Sequence, residues 1–133
     1  MAVEITEQIA DLSLNDDSRI VEFKEKQEIK DIALALECKA KGNDFFKTGQ
    51  FDDAIDEYSK AISFCPEDNE NLDSLSIFYG NRSAAYFSEG DYDECISDCS
   101  KALELKPDYV KVLARRSQAY EKRERLEDAI QGG

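Results

Sequence analysis

Residues 49–66 read GQFDDAIDEYSKAISFCP, and residues 90–107 read GDYDECISDCSKALELKP. The two stretches match at an offset of 41 residues, from Gly49 and Gly90 at their starts to Pro66 and Pro107 at their ends. A third copy begins as LEDAI at residues 126–130, only 34 residues after YDECI at residues 92–96. The chain is therefore built from a repeated unit, and such units bury their apolar faces by stacking on one another.

Each repeated unit is expected to form two antiparallel helices. Residues 52–64 place apolar side chains at the i, i+3/i+4, i+7 spacing of an amphipathic helix. Gly49 is a permissive C-cap for the helix before it, and Pro66 prevents the following helix from continuing. Strand-type alternation is missing from the sequence, and a 34-residue period closed by proline is typical of tetratricopeptide repeats. The sequence therefore predicts an all-α helix-turn-helix solenoid.

The repeats are expected at residues 35–68, 76–109 and 110–131, which together make a tetratricopeptide domain over residues 35–131. Seven extra residues, 69–75, explain why the first two units are offset by 41 residues and not by 34. Residues 1–34 are expected to be an acidic segment that is partly disordered or loosely helical. The third repeat stops before most of its second helix, so we expect a piece of a longer protein. Its helix at 110–123 would then expose an apolar face, unless the N-terminal segment or a second copy of the chain covers it.

Composition excludes several classes of protein. The formal net charge of -13 disfavours nucleic-acid binding, and no apolar run approaches the roughly 18–20 residues that span a bilayer. The start of the chain has no basic region and is a poor secretory signal. With no histidine and no glycine-rich phosphate loop, we expect neither an enzyme nor a cofactor. The acidic side chains are expected to cover outward, solvated helix faces.

The four cysteines are expected to be small buried apolar residues in a reducing compartment, which favours the cytoplasm, with the nucleus as an alternative. A metal site is the other interpretation. Because the chain has no histidine, a closed tetrahedral zinc site would need all four thiols at one point, namely Cys38, Cys65, Cys95 and Cys99. We expect no metal.

Five donor side chains fall on the first helices of the units. Lys39 and Asn43 are separated by four residues and so share a helix face, as do Lys111 and Arg115, while Asn81 belongs to the second unit. First helices of successive units line the concave surface of such an array, which would bring all five around one groove. Two amines, a guanidinium and two amides suit a carboxylate. The alternative is that the cations are solvated and the asparagines serve core contacts.

The segments KAKGNDFF, YGNRSAAY and DYVKVLARRSQAY carry a family resemblance. They resemble the carboxylate-clamp tetratricopeptide domains of cochaperones, over residues 35–131. The resemblance implies binding of the C-terminal tails of the seventy- and ninety-kilodalton heat-shock chaperones, which are acidic peptides with a free carboxylate. It also implies that Lys39, Asn43 and Asn81 hold the main-chain carboxylate of the final Asp. Lys111 and Arg115 would hold its side chain and the nearby backbone.

The sequence therefore predicts a protein–protein interaction adaptor, or cochaperone, that captures an EEVD-type C terminus of heat-shock protein 90, heat-shock protein 70 or both. Two alternatives stay open. One is a repeat scaffold that binds a non-chaperone partner through another surface. The other is the regulatory domain of a larger enzyme.

Overall fold

Five α-helices make up residues 29–132, the part of the chain that the computed structural model describes. No strand occurs among these residues, so the predicted all-α class is confirmed. Most of the predicted N-terminal segment, residues 1–28, lies outside the described residues. A short 3₁₀ helix, Asn69–Asn71, precedes the third α-helix. The α-helices are α1 Ile32–Lys47, α2 Phe51–Phe64, α3 Leu72–Glu89, α4 Tyr92–Leu105 and α5 Val110–Gly132.

The seven extra residues of the first step lengthen α3. Asn69–Asn71 form the 3₁₀ turn, and the side chain of Asp68 caps it by accepting a hydrogen bond from the backbone N–H of Asn71 at 3.1 Å. Residues from Leu72 onward already belong to α3, which has 18 residues where α1, the first helix of the first unit, has 16. The insertion therefore supplies the 3₁₀ turn and the start of α3, which begins before the expected boundary at residue 76.

Glycines close the first helices of the first two units. Gly49 has φ 77° and Gly90 has φ 81°, the left-handed conformation that a residue without Cβ adopts at little cost. Glu124 stands at the matching position of the third unit. The helix expected to end at residue 123 instead continues to Gly132, so the prediction of a helix break before LEDAI is wrong. A side chain at Glu124 makes the left-handed turn unfavourable, and residues 126–130 extend α5.

Three apolar clusters form the core, and the smallest joins α2 and α3 through Ala54, Tyr58 and Ala85. The other two are larger. The first, here called the junction cluster, joins α1, α2 and α3, and the second joins α4 and α5. Cys38 and Cys65 lie in the junction cluster, whereas Cys95 and Cys99 lie in the second with their Sγ atoms 4.0 Å apart. All four thiols are free and buried, which confirms their assignment as core residues. The junction cluster contains Ala35, Cys38, Ala61, Cys65, Leu75 and Phe78.

The outer face of α5 remains apolar and exposed. Val112 and Ala119 bury the inner face, but Val110 and Ile130 are 73% and 80% exposed, and Leu113 and Tyr120 are also exposed. The expected exposed face is therefore present among the described residues. No helix in residues 29–132 is both long and apolar enough to cross a membrane.

An ion pair inside the solenoid corrects one sequence expectation. Asp98, predicted with the other acidic residues to face solvent, is only 2% exposed. Its carboxylate accepts two hydrogen bonds from Arg82, from Nε at 2.7 Å and from Nη2 at 2.8 Å. Nη1 of Arg82 donates to Oγ of Ser59 at 3.0 Å. Because Ser59, Arg82 and Asp98 lie on α2, α3 and α4, this network joins the two complete units.

We expect Arg82→Met to destabilise the fold by about 3–5 kcal/mol, because the carboxylate of Asp98 would stay buried without a partner. Lys60→Met is the control. Lys60 pairs with Glu57 at 3.2 Å but its side chain is 58% exposed, so its loss should cost less than about 1 kcal/mol. Urea unfolding measures both. Equal costs for the two variants would contradict the structural role given to Arg82.

Candidate carboxylate-binding site

The five predicted site residues lie on the first helices of the three units. Lys39 and Asn43 are on α1, Asn81 is on α3, and Lys111 and Arg115 are on α5. Helix α3 shares the junction cluster with α1 and also contacts α5. All five side chains reach solvent, because Lys111 is exposed and the other four are half-buried. The fold therefore places them on neighbouring helices with accessible donors.

A buried tyrosine orients Asn43. The hydroxyl of Tyr58, on α2, donates to Oδ1 of Asn43 at 2.6 Å. Burial raises the pKa of Tyr58 to about 12, so the phenol keeps this proton near neutral pH. Because the amide oxygen is occupied, the Nδ2 group of Asn43 is left as a donor. A Cβ at Gly42 would lie 2.6 Å from the Tyr58 ring, so this approach requires glycine.

Arg115 is positioned against the backbone of α3. Its Nη1 donates to the carbonyl oxygen of Gly80 and to Oγ of Ser83, both at 3.1 Å. The Ser83 hydroxyl in turn donates to the same carbonyl at 2.6 Å. These bonds hold the guanidinium beside Asn81, the residue after Gly80. Within residues 29–132, Nε and Nη2 of Arg115 make no hydrogen bond, so one edge of the fork is available to a ligand.

The remaining three site residues have no partner in the described part of the chain. Lys39, Asn81 and Lys111 make neither a hydrogen bond nor an ion pair there. Arg115 also lacks a carboxylate partner. Among the other described cations, Lys60, Arg82, Lys106, Arg123 and Arg125 pair with Asp or Glu, whereas Lys41, Lys47, Lys101, Arg116 and Lys122 form no ion pair with the described residues. Lys39, Lys111 and Arg115 thus have no counter-ion there, in a chain of net charge -13. This surface can therefore offer charge and hydrogen-bond donors to an anion.

Sequence reasoning missed the residues that hold these donors. Tyr58 was covered only by the amphipathic helix predicted over residues 52–64, and Ser83 was given no role. The available signal was Gly42, because a glycine inside a helix indicates that another group approaches closely. That signal shows a close contact but does not name the hydroxyl that makes it.

The chain belongs to the tetratricopeptide-repeat family. Two models of this repeat match it, one over residues 42–70 and the other over residues 77–109. The sequence-based assignment to this family is confirmed.

The similar proteins include a receptor subunit and peptide-binding domains. Mitochondrial import receptor subunit TOM70 of Mus musculus is 42% identical over 104 residues, which are 78% of this chain but 17% of TOM70. The chain thus spans about a sixth of that relative's length. The first TPR of Spaghetti (RPAP3), bound to the HSP90 peptide SRMEEVD, has a TM-score of 0.64 and 35% identity. That match covers 75% of this chain and 74% of the other.

A second solved structure adds the other chaperone. The second TPR domain of human RPAP3, in complex with the HSP70 peptide SGPTIEEVD, has a TM-score of 0.61 and 31% identity. It covers 74% of this chain and 77% of the other. Both peptides end in the same four residues, EEVD.

Tyr58→Phe should keep the fold and cost about 1 kcal/mol, because Oδ1 of Asn43 loses its buried partner while the ring stays in place. In an Asn43→Ala background, the same change should be neutral or stabilising, since the hydroxyl then has no acceptor. Thermal melting of the four proteins of this double-mutant cycle measures the coupling. Additive costs would mean that Tyr58 does not position Asn43.

Proposed function

We propose that this chain is a protein–protein interaction module that binds the free C-terminal carboxylate of an acidic chaperone tail. The observation that carries the proposal is the set of donors without partners on α1, α3 and α5. In this arrangement Lys39, Asn43 and Asn81 hold the main-chain carboxylate of the ligand's last residue. Lys111 and Arg115 hold the side-chain carboxylate of its final Asp.

The chemistry of the donors supports this choice of ligand. A hydrogen bond to a charged group contributes about 1.5–3 kcal/mol, and a guanidinium edge matches the two oxygens of a carboxylate. The amides of Asn43 and Asn81 donate hydrogen bonds without adding charge. They therefore favour a carboxylate that is held in one position. The peptides in the two RPAP3 structures end in Val-Asp, which offers two carboxylates on one residue.

Binding rather than catalysis is the proposed role. The site has donors that suit a ground-state anion, and the similar proteins are a receptor subunit and peptide-binding TPR domains. We further propose that the module acts as an adaptor in the cytoplasm, where four free thiols stay reduced. Either chaperone tail fits the site, and titration with both peptides separates their affinities.

One test of the proposed function changes the C terminus of the ligand. A peptide ending in Glu-Glu-Val-Asp with a free carboxylate should bind, and the same peptide with an amidated C terminus should bind much more weakly. Amidation removes one negative charge and replaces one acceptor oxygen with an NH₂ donor, so that one oxygen remains to accept from Lys39 and the two asparagines. Isothermal titration calorimetry with the acid and the amide makes the comparison. Equal affinities would refute a carboxylate site.

Another test removes the cations Lys111 and Arg115. Lys111→Ala or Arg115→Ala should weaken binding of that peptide by about one to two orders of magnitude, or about 1.4–2.8 kcal/mol, with unchanged helical content. Lys60→Ala and Lys101→Ala are controls, because both residues are exposed on second helices. Fluorescence anisotropy measures the affinities. The groove is wrongly assigned if Lys60→Ala or Lys101→Ala weakens binding as much as Lys111→Ala.

A further inference from the structure

Two buried thiols lie one helical turn apart on α4. Cys95 and Cys99 are separated by four residues and are both 0% exposed, and their Sγ atoms lie 4.0 Å apart. Val112 and Ala119 of α5 pack in the same apolar cluster, so α5 helps to cover the pair. The thiol of Cys65, in the junction cluster, instead contacts backbone carbonyl oxygens. Cys95 and Cys99 therefore form a close dithiol beneath α5.

This dithiol adjoins a residue that positions the candidate site. The side chain of Ser83, on α3, contacts the sulfur of Cys99. Oγ of Ser83 also accepts a hydrogen bond from Nη1 of Arg115 at 3.1 Å. Ser83 therefore lies between the Cys99 thiol and the guanidinium that is proposed to bind the ligand.

The repeat has a second example of this arrangement. At the offset of 41 residues, Cys99 matches Tyr58 and Ser83 matches Gly42. In the first unit the Tyr58 ring lies against Gly42, and its hydroxyl donates to Asn43 of the site. The position of Cys99 is thus one from which a second helix supports a site residue. In the second unit that position holds a thiol in place of a phenol.

The surroundings of Cys99 favour its thiolate, the form that reacts with oxidants. A hydrogen bond from the Cys95 thiol is the main cause that lowers the pKa of Cys99. Ser83 and the positive charge of Arg115 lower this pKa further, whereas burial and Asp98 raise it. The pKa of Cys95 is raised by its hydrogen bond with Cys99 and by burial. One thiol is therefore suited to attack an oxidant, and the other to resolve the product.

A disulfide between these residues requires α4 to change shape. Residues four apart in an α-helix have Cα atoms about 6 Å apart, which suits a disulfide, but Cβ atoms about 5–6 Å apart. A disulfide needs Cβ atoms about 3.5–4.5 Å apart. Closing the bond therefore tightens this turn of α4 and draws the sulfur of Cys99 toward Cys95 and away from Ser83. Strained disulfides are easily reduced, so the change is reversible.

We propose that Cys95 and Cys99 are a site of reversible oxidation by hydrogen peroxide, and that the resulting disulfide weakens ligand binding through Ser83 and Arg115. The second half of this inference rests on the proposed carboxylate binding. The Cys99 thiolate attacks the peroxide, so an S–O bond forms, the O–O bond breaks and hydroxide leaves. The Cys95 sulfur then attacks the sulfenic acid, and the S–S bond forms as the S–O bond breaks. The two thiols lose two electrons and two protons, and the peroxide becomes two water molecules.

The effect on the site follows from the contacts of Ser83. When Cys99 moves away, Ser83 loses a neighbour that fixes it, and the guanidinium of Arg115 keeps only the Gly80 carbonyl as a fixed acceptor. Because both thiols are buried, peroxide reaches them when α5 opens locally from α4. A ligand that binds α1, α3 and α5 together opposes this opening. Binding and oxidation should therefore inhibit each other, as linkage requires.

Peroxide treatment tests the modification without any ligand. In a Cys38→Ala, Cys65→Ala background, hydrogen peroxide should remove both remaining thiols from alkylation under denaturing conditions, and dithiothreitol should restore them. Peptide mapping of the unmodified chain should locate the same bond within one chain. Cys95→Ala is the matched control, because Ala54 stands at that position of the first unit; it should give only a sulfenic acid that dimedone traps. Two free thiols after peroxide, or a disulfide between chains, would overturn the proposal.

Calorimetry then tests the coupling with an acidic peptide that ends in Glu-Glu-Val-Asp. The oxidised chain should bind at least about fivefold more weakly than the reduced chain, and dithiothreitol should restore the affinity. In the Cys95→Ala control no disulfide closes, so peroxide should change the affinity by less than about twofold. Equal affinities of the reduced and oxidised forms, or an equal loss in Cys95→Ala, would overturn the coupling. A reduced chain that does not bind the peptide would instead overturn the proposed function.

Discussion

The pairing of Arg82 with Asp98 is the contact on which the relative placement of the units depends. It is bidentate, nearly shielded from water, and extended by Ser59 to the second helix of the first unit. The guanidinium also lies 5.7 Å from the Tyr79 ring centre and 5.8 Å from that of Tyr86. A directional interaction of this kind fixes the rotation of α3 about its axis, which apolar contacts alone define less sharply. Since α3 carries Asn81 and the acceptors that hold Arg115, the candidate site depends on that rotation.

The effect of the surface charges on a ligand depends mainly on the charges closest to it. Salt screens exposed charges beyond about 8–10 Å, so a ligand at the groove responds mainly to the nearest cations rather than to the total charge. The excess of carboxylates elsewhere still repels extended polyanions such as nucleic acids. Lys39 on α1 and Lys111 and Arg115 on α5, which have no carboxylate partner among the described residues, can therefore attract an anion locally. An acidic peptide with its charge concentrated at one terminus suits such a surface.

The distribution of hydrophobic surface gives the chain two further faces of different character. On α5, Leu113 and Tyr120 stay exposed because the described residues provide no helix to cover them. Between α3 and α4, the insertion adds Leu72 and Leu75 to a cavity with an acidic rim. Tetratricopeptide units bury their apolar faces only against neighbouring units, so any added turn or unpaired helix exposes apolar area. In this chain those exposed areas lie away from the donor surface.

Local sequence patterns predicted a large part of this structure. The repeat period, the helix pairs and the glycines that end the first helices depend on neighbouring residues, so the sequence alone indicates them. The same holds for the helix face shared by Lys39 and Asn43, since a separation of four residues determines it. The helix end expected at residue 123 was wrong. That prediction relied on the similarity of LEDAI to YDECI, but the position that is glycine in the first two units is Glu124 in the third. Similar residues after the turn do not make the left-handed turn itself favourable.

The sequence by itself determined the fold family, the helices and the identity of the candidate donors. Only the tertiary structure decided which groups hold those donors: Tyr58 on Asn43, Ser83 and the Gly80 carbonyl on Arg115, and Arg82 on Asp98. These partners are separated by 15 to 35 residues and lie on different helices. Their contacts depend on how the helices rotate and stack, which a local pattern does not encode. A buried Asp and an exposed one look alike in sequence, and it is the position of the opposite helix that distinguishes them.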